Sequence, residues 1–306
     1  MSLSPVRAAP RAQNIPLGIA LMLVAIFMFS ANDVLGKWLA STYSSPQILM
    51  FRSIAALAFL VPSIMKLGWR SLIAVPRPGL QVVRATLGAI EIGLFYLAVK
   101  YLPLADAMTY YLAGPIYVTV LAAVFLGEDV GWRRWTAVIV GFAGVVIAMG
   151  PSIGSFGWPV LIPFVASIIY AVFLTITRVL RDTPDAVMAT WQIGFAFILG
   201  TALSPFDWTP VAAWTDVALI GLLGVVSLVA IIAVNRSLAI APASVVVPYQ
   251  YTMIVWAVIF GYFVFGDVPR IETLIGAAVI VLAGLFIYFR EQQRGKQVVP
   301  EFPPER

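Results

Sequence analysis

Cysteine is absent from all 306 residues, and histidine is absent as well. The lack of cysteine excludes disulfides and thiolate metal sites. The lack of histidine removes the commonest general base and the commonest metal ligand, so a Ser-His-Asp triad and a His-based zinc site are impossible. We therefore expect no enzyme, no metal and no cofactor.

Charged side chains are also scarce, since only 11% of the residues are Asp, Glu, Lys or Arg. Soluble domains usually carry about 25%. The apolar share is 61% and the mean hydropathy is +0.98. A water-soluble globule cannot bury so much apolar side chain. The composition excludes a soluble enzyme, a nucleic-acid-binding domain and a disordered protein, and it predicts a lipid bilayer as the environment.

Long apolar runs fill most of the chain, and each is close to the roughly 20 residues that a helix needs to cross a bilayer. We expect ten membrane-spanning helices: Ile15–Ala40, Pro46–Met65, Leu80–Tyr101, Leu104–Leu126, Trp132–Met149, Trp158–Ile176, Ala186–Leu203, Ala212–Asn235, Ala243–Phe265 and Ile271–Phe289. Runs such as Ala137–Met149 are apolar on all sides, whereas barrel strands alternate. The first run is too long for a signal peptide, so we expect it to be a retained helix.

The basic residues fall almost entirely on one side when ten spans are threaded from a cytoplasmic N-terminus. The inner side receives Arg7, Arg11, Lys66, Arg70, Arg77, Arg84, Arg133, Arg134, Arg178, Arg181, Arg236, Arg290, Arg294, Lys296 and Arg306. The outer side receives only Lys100 and Arg270. This asymmetry matches the positive-inside rule with both termini in the cytoplasm. It explains the basic composition without nucleic acid as a partner.

A weak internal repeat relates residues 105–128 to residues 244–267. Tyr110 matches Tyr249, and Glu128 matches Asp267. Each copy is the fourth span of a group of five, and five is odd, so the second copy enters the membrane from the opposite side. We expect an all-α integral membrane protein of two inverted five-helix repeats, 15–150 and 151–290, between cytoplasmic tails 1–14 and 291–306.

Four short motifs resemble the drug/metabolite transporter superfamily, specifically its ten-helix EamA-type members. They are Asn32–Lys37, Ser45–Arg52, Tyr96–Leu102 and Phe125–Glu128. The chain is most similar to bacterial exporters of amino acids, including aromatic ones, and of metabolites. The resemblance implies a five-plus-five inverted repeat, a central cavity and efflux of small metabolites across the bacterial inner membrane.

Charged residues inside spans are costly in lipid and are usually paired or functional. Asp33, Lys37, Arg52 and Glu91 qualify, and their charges sum to zero. Asp33 and Lys37 share a helix face, and Arg52 and Glu91 lie on neighbouring spans, where a salt bridge is plausible. With Asn32 they form either a structural network and outer gate, or a proton-coupling site at Asp33 or Glu91.

Prolines interrupt the fourth and ninth spans at Pro115 and Pro248. Broken spans at matching positions in two halves indicate a transport site. The polar aromatic and amide residues on or near these spans are the cavity candidates: Tyr96, Tyr110, Tyr111, Trp191, Gln192, Tyr249, Gln250 and Tyr251. The alternative is that the Tyr and Trp residues only anchor the protein at the membrane interface.

Small residues on the fifth and tenth spans, such as Gly144 and Gly276, predict close packing of these two helices. We expect spans 1, 3, 4, 6, 8 and 9 to line the cavity instead.

The expected function is secondary transport by alternating access, with export of small amphipathic metabolites, and aromatic or neutral amino acids are the expected substrates. An exchanger of drug-like or nucleotide-type solutes is the alternative within transport, and a non-transporting membrane scaffold or sensor is the alternative outside it. The expected partners are a small-molecule substrate and the lipid bilayer. The expected state is a monomer or a weak homo-oligomer in the bacterial inner membrane.

Overall fold

The computed structural model is all-helical in the part of the chain that it describes. It describes residues 14–40, 42–101, 111–128, 130–149, 161–211, 213–265 and 271–296. The main helices are α1 (Ile15–Ala40), α2 (Ser45–Leu67), α3 (Pro78–Tyr101), α4 (Gly114–Phe125), α5 (Trp132–Met149), α6 (Leu161–Val179), α7 (Asp185–Leu203), α8 (Trp214–Ile240), α9 (Met253–Phe260) and α10 (Ile271–Lys296). These bounds agree closely with most of the predicted spans. Residues 104–110 of the fourth span lie outside the described part.

Five helices in the described residues are long and apolar enough to cross a membrane. They are Ile15–Gly36, Ser45–Leu67, Leu161–Val179, Asp185–Phe206 and Trp214–Ile240. Large apolar side chains also cover the outside of the bundle, for example Phe59, Val124 and Leu282, each more than 60% exposed. Such a surface suits lipid tails rather than water. Ten spans and the orientation of the chain stay predictions.

The helices of the two halves pack against one another in a reciprocal pattern. Helix α1 packs on α8, and α6 packs on α3. Likewise α2 packs on α8, and α7 packs on α3. Helix α2 also packs on α7, and α5 packs on α10. If α1 to α5 are exchanged for α6 to α10 in order, the same set of helix pairs is obtained. Both halves therefore contribute equivalent surfaces to one core.

Glycines permit the closest of these contacts, as expected in lipid, where small residues let helix backbones approach. A Cβ atom at Gly224 of α8 would lie 2.2 Å from the carbonyl oxygen of Arg52 on α2. A Cβ atom at Gly144 of α5 would lie 3.0 Å from the carbonyl oxygen of Gly276 on α10. The predicted close packing of the fifth and tenth spans is therefore confirmed.

The segment before α9 departs from a regular α-helix around Pro248. A four-residue helical turn, Ala243–Val246, leads into a 3₁₀ helix, Val247–Thr252, which carries Pro248 in its first turn. Pro115 similarly occupies the first turn of α4, where a proline costs no helix hydrogen bond. Both prolines thus lie where a helical segment starts. Gln250, two residues after Pro248, lines the cavity described below.

Candidate functional site

A cavity of about 180 Å³ lies inside the bundle. Its polar lining comes from both halves of the chain: Asn32, Asp33, Arg52, Glu91, Tyr111, Tyr170, Gln192, Asn235 and Gln250. Its apolar lining includes Phe29, Phe95, Phe173, Leu174 and Met253. The walls therefore come from α1, α3, α6, α8 and the segments beside α4 and α9, as expected. Helices α2 and α7 also contribute, through Arg52 and Gln192. Both residues were candidates in the sequence, but their helices were not among the spans expected to line the cavity.

Three charged side chains meet at this cavity. Asp33 comes from α1, Arg52 from α2 and Glu91 from α3. Among the described residues, no salt bridge joins Arg52 to either carboxylate, so the Arg52–Glu91 bridge considered from the sequence is not formed in this structure. Charges inside a membrane bundle normally face a polar cavity or one another. Here the three side chains share one cavity.

Aromatic rings and one amide form another wall. Gln250 Nε2 donates to the Tyr170 hydroxyl at 2.6 Å. The Tyr111 ring stands edge-on to Phe95, with ring centroids 5.4 Å apart, and lies 6.2 Å from Tyr170. Rings with hydroxyl groups suit a ligand that is apolar on one side and polar on the other.

Three predicted cavity residues have their side chains in other contacts. Trp191 donates from Nε1 to the carbonyl oxygen of Leu72 at 2.9 Å. Tyr249 is buried in the hydrophobic core. The Tyr251 ring fills the space above Gly141, where a Cβ atom would lie 2.6 Å from it. Tyr110 and the side chains of Tyr96 and Lys37 lie outside the described part.

Arg84 was assigned to the inner membrane side from the sequence, but its side chain is enclosed by other helices instead of facing solvent. Its side chain is fully buried, and it stacks on the Phe173 ring at 4.7 Å. Its guanidinium donates to Thr177 Oγ1 at 2.7 Å, Met188 O at 3.2 Å, Gln192 Oε1 at 3.2 Å and Asn235 Oδ1 at 3.0 Å. One signal was present: Arg84 precedes Glu91 by seven residues, which places the two on the same face of a helix.

Polar contacts tie the helix ends together at both ends of the bundle. At the end where α1 begins, Glu128 forms an ion pair with buried Arg178 at 3.5 Å. At the end where α1 finishes, Tyr43 donates to Asp216, and Gln47 Nε2 donates to the carbonyl oxygen of Thr209 at 2.6 Å. The 26 residues of α1 separate these contacts by about 39 Å. The bundle that contains the cavity thus has polar contacts between helix ends at both of its ends.

Comparison with known proteins decides the family. The EamA-like transporter family matches residues 16–150 and, a second time, residues 157–289. The chain belongs to the EamA-like transporter family. The predicted resemblance is confirmed, and this membership makes the protein an integral membrane transporter of a small molecule rather than an enzyme.

Curated relatives of this EamA-like protein carry different substrate names. The chain is 27% identical to an S-adenosylmethionine uptake transporter of Rickettsia bellii, over 90% of this chain and 95% of the relative. It is 26% identical to a riboflavin transporter of Vibrio cholerae, over 92% of this chain and 95% of the relative. A solved crystal structure aligns with a TM-score of 0.77 at 16% identity, over 92% of this chain and 99% of that one, and supports the fold. None of these names supports amino-acid export.

Proposed function

We propose that this EamA-like protein is a secondary transporter that works by alternating access around the cavity. The observation that carries the proposal is a cavity inside the bundle that holds Asp33, Glu91 and Arg52 between aromatic walls. Charged groups at depth in a membrane are expensive, and they usually mark the path of a substrate or an ion. A cavity walled by both halves can open to either side when the halves move against each other.

The proposal includes two inverted five-helix repeats, 15–150 and 151–290, with both termini in the cytoplasm of a bacterial cell. The double family match and the reciprocal helix pairing support the duplication. The one-sided distribution of basic residues supports the orientation. Inversion matters because two similar halves can exchange conformations, which gives inward-open and outward-open states of similar energy.

The proposed substrate is a small amphipathic metabolite with an amino-acid group, and aromatic or neutral amino acids fit the cavity best. A volume of about 180 Å³ is below the roughly 300–1,000 Å³ of typical drug-sized pockets. In this conformation the cavity therefore suits a solute of amino-acid size. Carboxylates can hold an ammonium group, and rings such as Tyr111 and Tyr170 can pack on the side chain.

S-adenosylmethionine is the second candidate, because relatives named for its uptake match nearly the whole chain. It carries the same amino-acid group and an additional positive charge. It is larger than a cavity of about 180 Å³, so this candidate requires a wider cavity in another state of the transport cycle. The net direction follows the substrate gradient in alternating access, and we propose export for amino acids that accumulate inside the cell.

The test is flux into liposomes containing the purified protein, with labelled phenylalanine, methionine, S-adenosylmethionine and riboflavin as probes. We expect saturable, protein-dependent exchange of at least one amino-acid-bearing probe. The Asp33→Asn and Glu91→Gln variants should lose most of this exchange, whereas Arg236→Gln, at an exposed position, should keep it. Absence of flux for every amino-acid-bearing probe would contradict the proposed substrate class.

The same liposomes test proton coupling at the two carboxylates. If Asp33 or Glu91 carries a proton with each cycle, an imposed pH gradient drives accumulation in the wild type, and the exchange that remains in the neutral variant at that position no longer responds to the gradient. Unchanged pH dependence in both variants would leave the carboxylates as binding groups only.

A further inference from the structure

We propose that Arg84 is a positioning residue that turns the side-chain amides of Gln192 and Asn235 into hydrogen-bond donors for the carboxylate end of the substrate. This inference rests on the proposed function, since it names a second half of the same binding site. The sequence did not place Arg84 or Asn235 in the site, whereas the contacts of their side chains do.

The hydrogen bonds of Arg84 fix the orientation of both amides. A guanidinium group carries only donors, so each amide must present its oxygen to it. Arg84 Nη2 donates to Gln192 Oε1 at 3.2 Å and to Asn235 Oδ1 at 3.0 Å. The two NH₂ groups therefore point away from Arg84, and both amides line the cavity.

The amide nitrogen of Asn235 lacks a partner in the described protein, although Asn235 is only 2% exposed. A buried polar group without a hydrogen bond is rare, because it loses its contact with water and gains nothing in return. Asn235 is one of the residues that line the cavity, so an acceptor on the bound substrate would satisfy this donor. A carboxylate oxygen makes the strongest hydrogen bond of this kind.

The charge of Arg84 favours the same ligand group. No carboxylate forms a salt bridge with Arg84 among the described residues, and its four acceptors are neutral. Glu91 lies seven residues further along α3, about 10 Å along the helix axis and on the same face. The cavity therefore has a donor-rich end near a positive charge and an acidic end, which complements the carboxylate and ammonium groups of a zwitterion.

Two pairs of probes measure recognition of the carboxylate. L-phenylalanine is compared with 2-phenylethylamine, and S-adenosylmethionine is compared with its decarboxylated form; each second compound lacks only the carboxylate. Flux into liposomes gives the half-saturating concentration of each probe. Within each pair, the half-saturating concentration of the probe without the carboxylate is divided by that of the carboxylate-bearing probe. This ratio reports the carboxylate contact and is insensitive to a general loss of folded protein.

The decisive variant is Asn235→Asp, which pairs with Arg84 but presents an acceptor in place of the free donor. We expect the half-saturating concentration of the carboxylate-bearing probe to rise about tenfold or more, and that of its partner to stay within about twofold. Arg84→Lys keeps the charge but cannot hold both amides, so it should reduce the ratio as well. Arg236→Gln changes an exposed arginine that does not line the cavity, and it should leave the ratio unchanged.

Three outcomes overturn the inference. The first is a parallel change for both members of a pair, which indicates general damage to the site. The second is a ratio in Asn235→Asp equal to that of the wild type. The third is a wild type that transports neither carboxylate-bearing probe, which defeats the proposed substrate class together with this inference; the first two leave that class intact.

Discussion

Glu128 shows how a single residue can join three helix ends. Its carboxylate accepts from the backbone N–H groups of Ala243 and Ser244 at 2.9 and 3.0 Å and from the Ser244 hydroxyl at 2.6 Å. Its partner Arg178 donates to the carbonyl oxygen of Leu238 at 2.6 Å. The cluster therefore links the end of α4 to the end of α6 and to the turn that follows α8.

Replacement of this carboxylate should weaken the link measurably. We expect Glu128→Gln to reduce the free energy of unfolding by about 1–3 kcal/mol, because charge-assisted hydrogen bonds are lost and Arg178 stays buried. The thermal unfolding midpoint in detergent measures this effect. The control is Arg236→Gln, which removes an exposed 3.9 Å pair with Asp185 and should cost less than about 1 kcal/mol. Equal shifts of the unfolding midpoint in the two variants would mean that the contacts of Glu128 do not stabilise the protein.

At the scale of helices, the contact between α2 and α8 depends on the absence of a side chain at Gly224. A Cβ atom there would overlap with the backbone of Arg52, whose side chain lines the cavity. Backbone cannot move aside as a flexible side chain does, so the two helices would have to separate. Helix packing and the shape of the cavity are coupled at this position.

Gly224→Ala should therefore destabilise the protein by about 1–3 kcal/mol or more and reduce transport. Gly221→Ala is the matched control, one turn earlier on the same helix, where nothing lies within 4 Å of the added Cβ atom. This control should be neutral or stabilising by up to about 1 kcal/mol, since alanine favours helix. Thermal unfolding and liposome flux are measured on both. If Gly221→Ala proves as harmful as Gly224→Ala, close approach is not the cause.

For the whole molecule, the inverted arrangement makes a prediction about two equivalent links. The α2–α3 link and the α7–α8 link occupy the same place in the two proposed repeats, so inversion puts them on opposite sides of the membrane. Ile73 in the first link is 83% exposed, and Phe206 in the second is 85% exposed. These positions are matched in accessibility.

The natural lack of cysteine allows single cysteines to report on each link. We expect a membrane-impermeant maleimide to label Phe206→Cys in intact cells and Ile73→Cys only after permeabilisation. The cysteine-free parent protein sets the background. Labelling of both positions from the same side would contradict the inverted repeat and the threading of ten spans.

The sequence by itself determined the environment, the helical class and the family. Scarce charge and long apolar runs specify a bilayer, since such a chain cannot bury its apolar surface in water. Helices such as Ile15–Ala40 and Trp132–Met149 begin and end where the apolar runs do. Asp33, Arg52 and Glu91 were found as candidates because charge inside a span is visible without any structure.

Only the tertiary structure decided which side chains face the cavity. Arg84 lies near the start of its span and looks like an inner-side anchor in the sequence, but α6, α7 and α8 enclose it. Tyr249 and Tyr251 have side chains of the kind expected in the cavity, an aromatic ring with a hydroxyl group, yet their rings pack between helices. Hydropathy reports how apolar a segment is along the chain, whereas the face that each helix turns inward depends on its packing against helices distant in sequence.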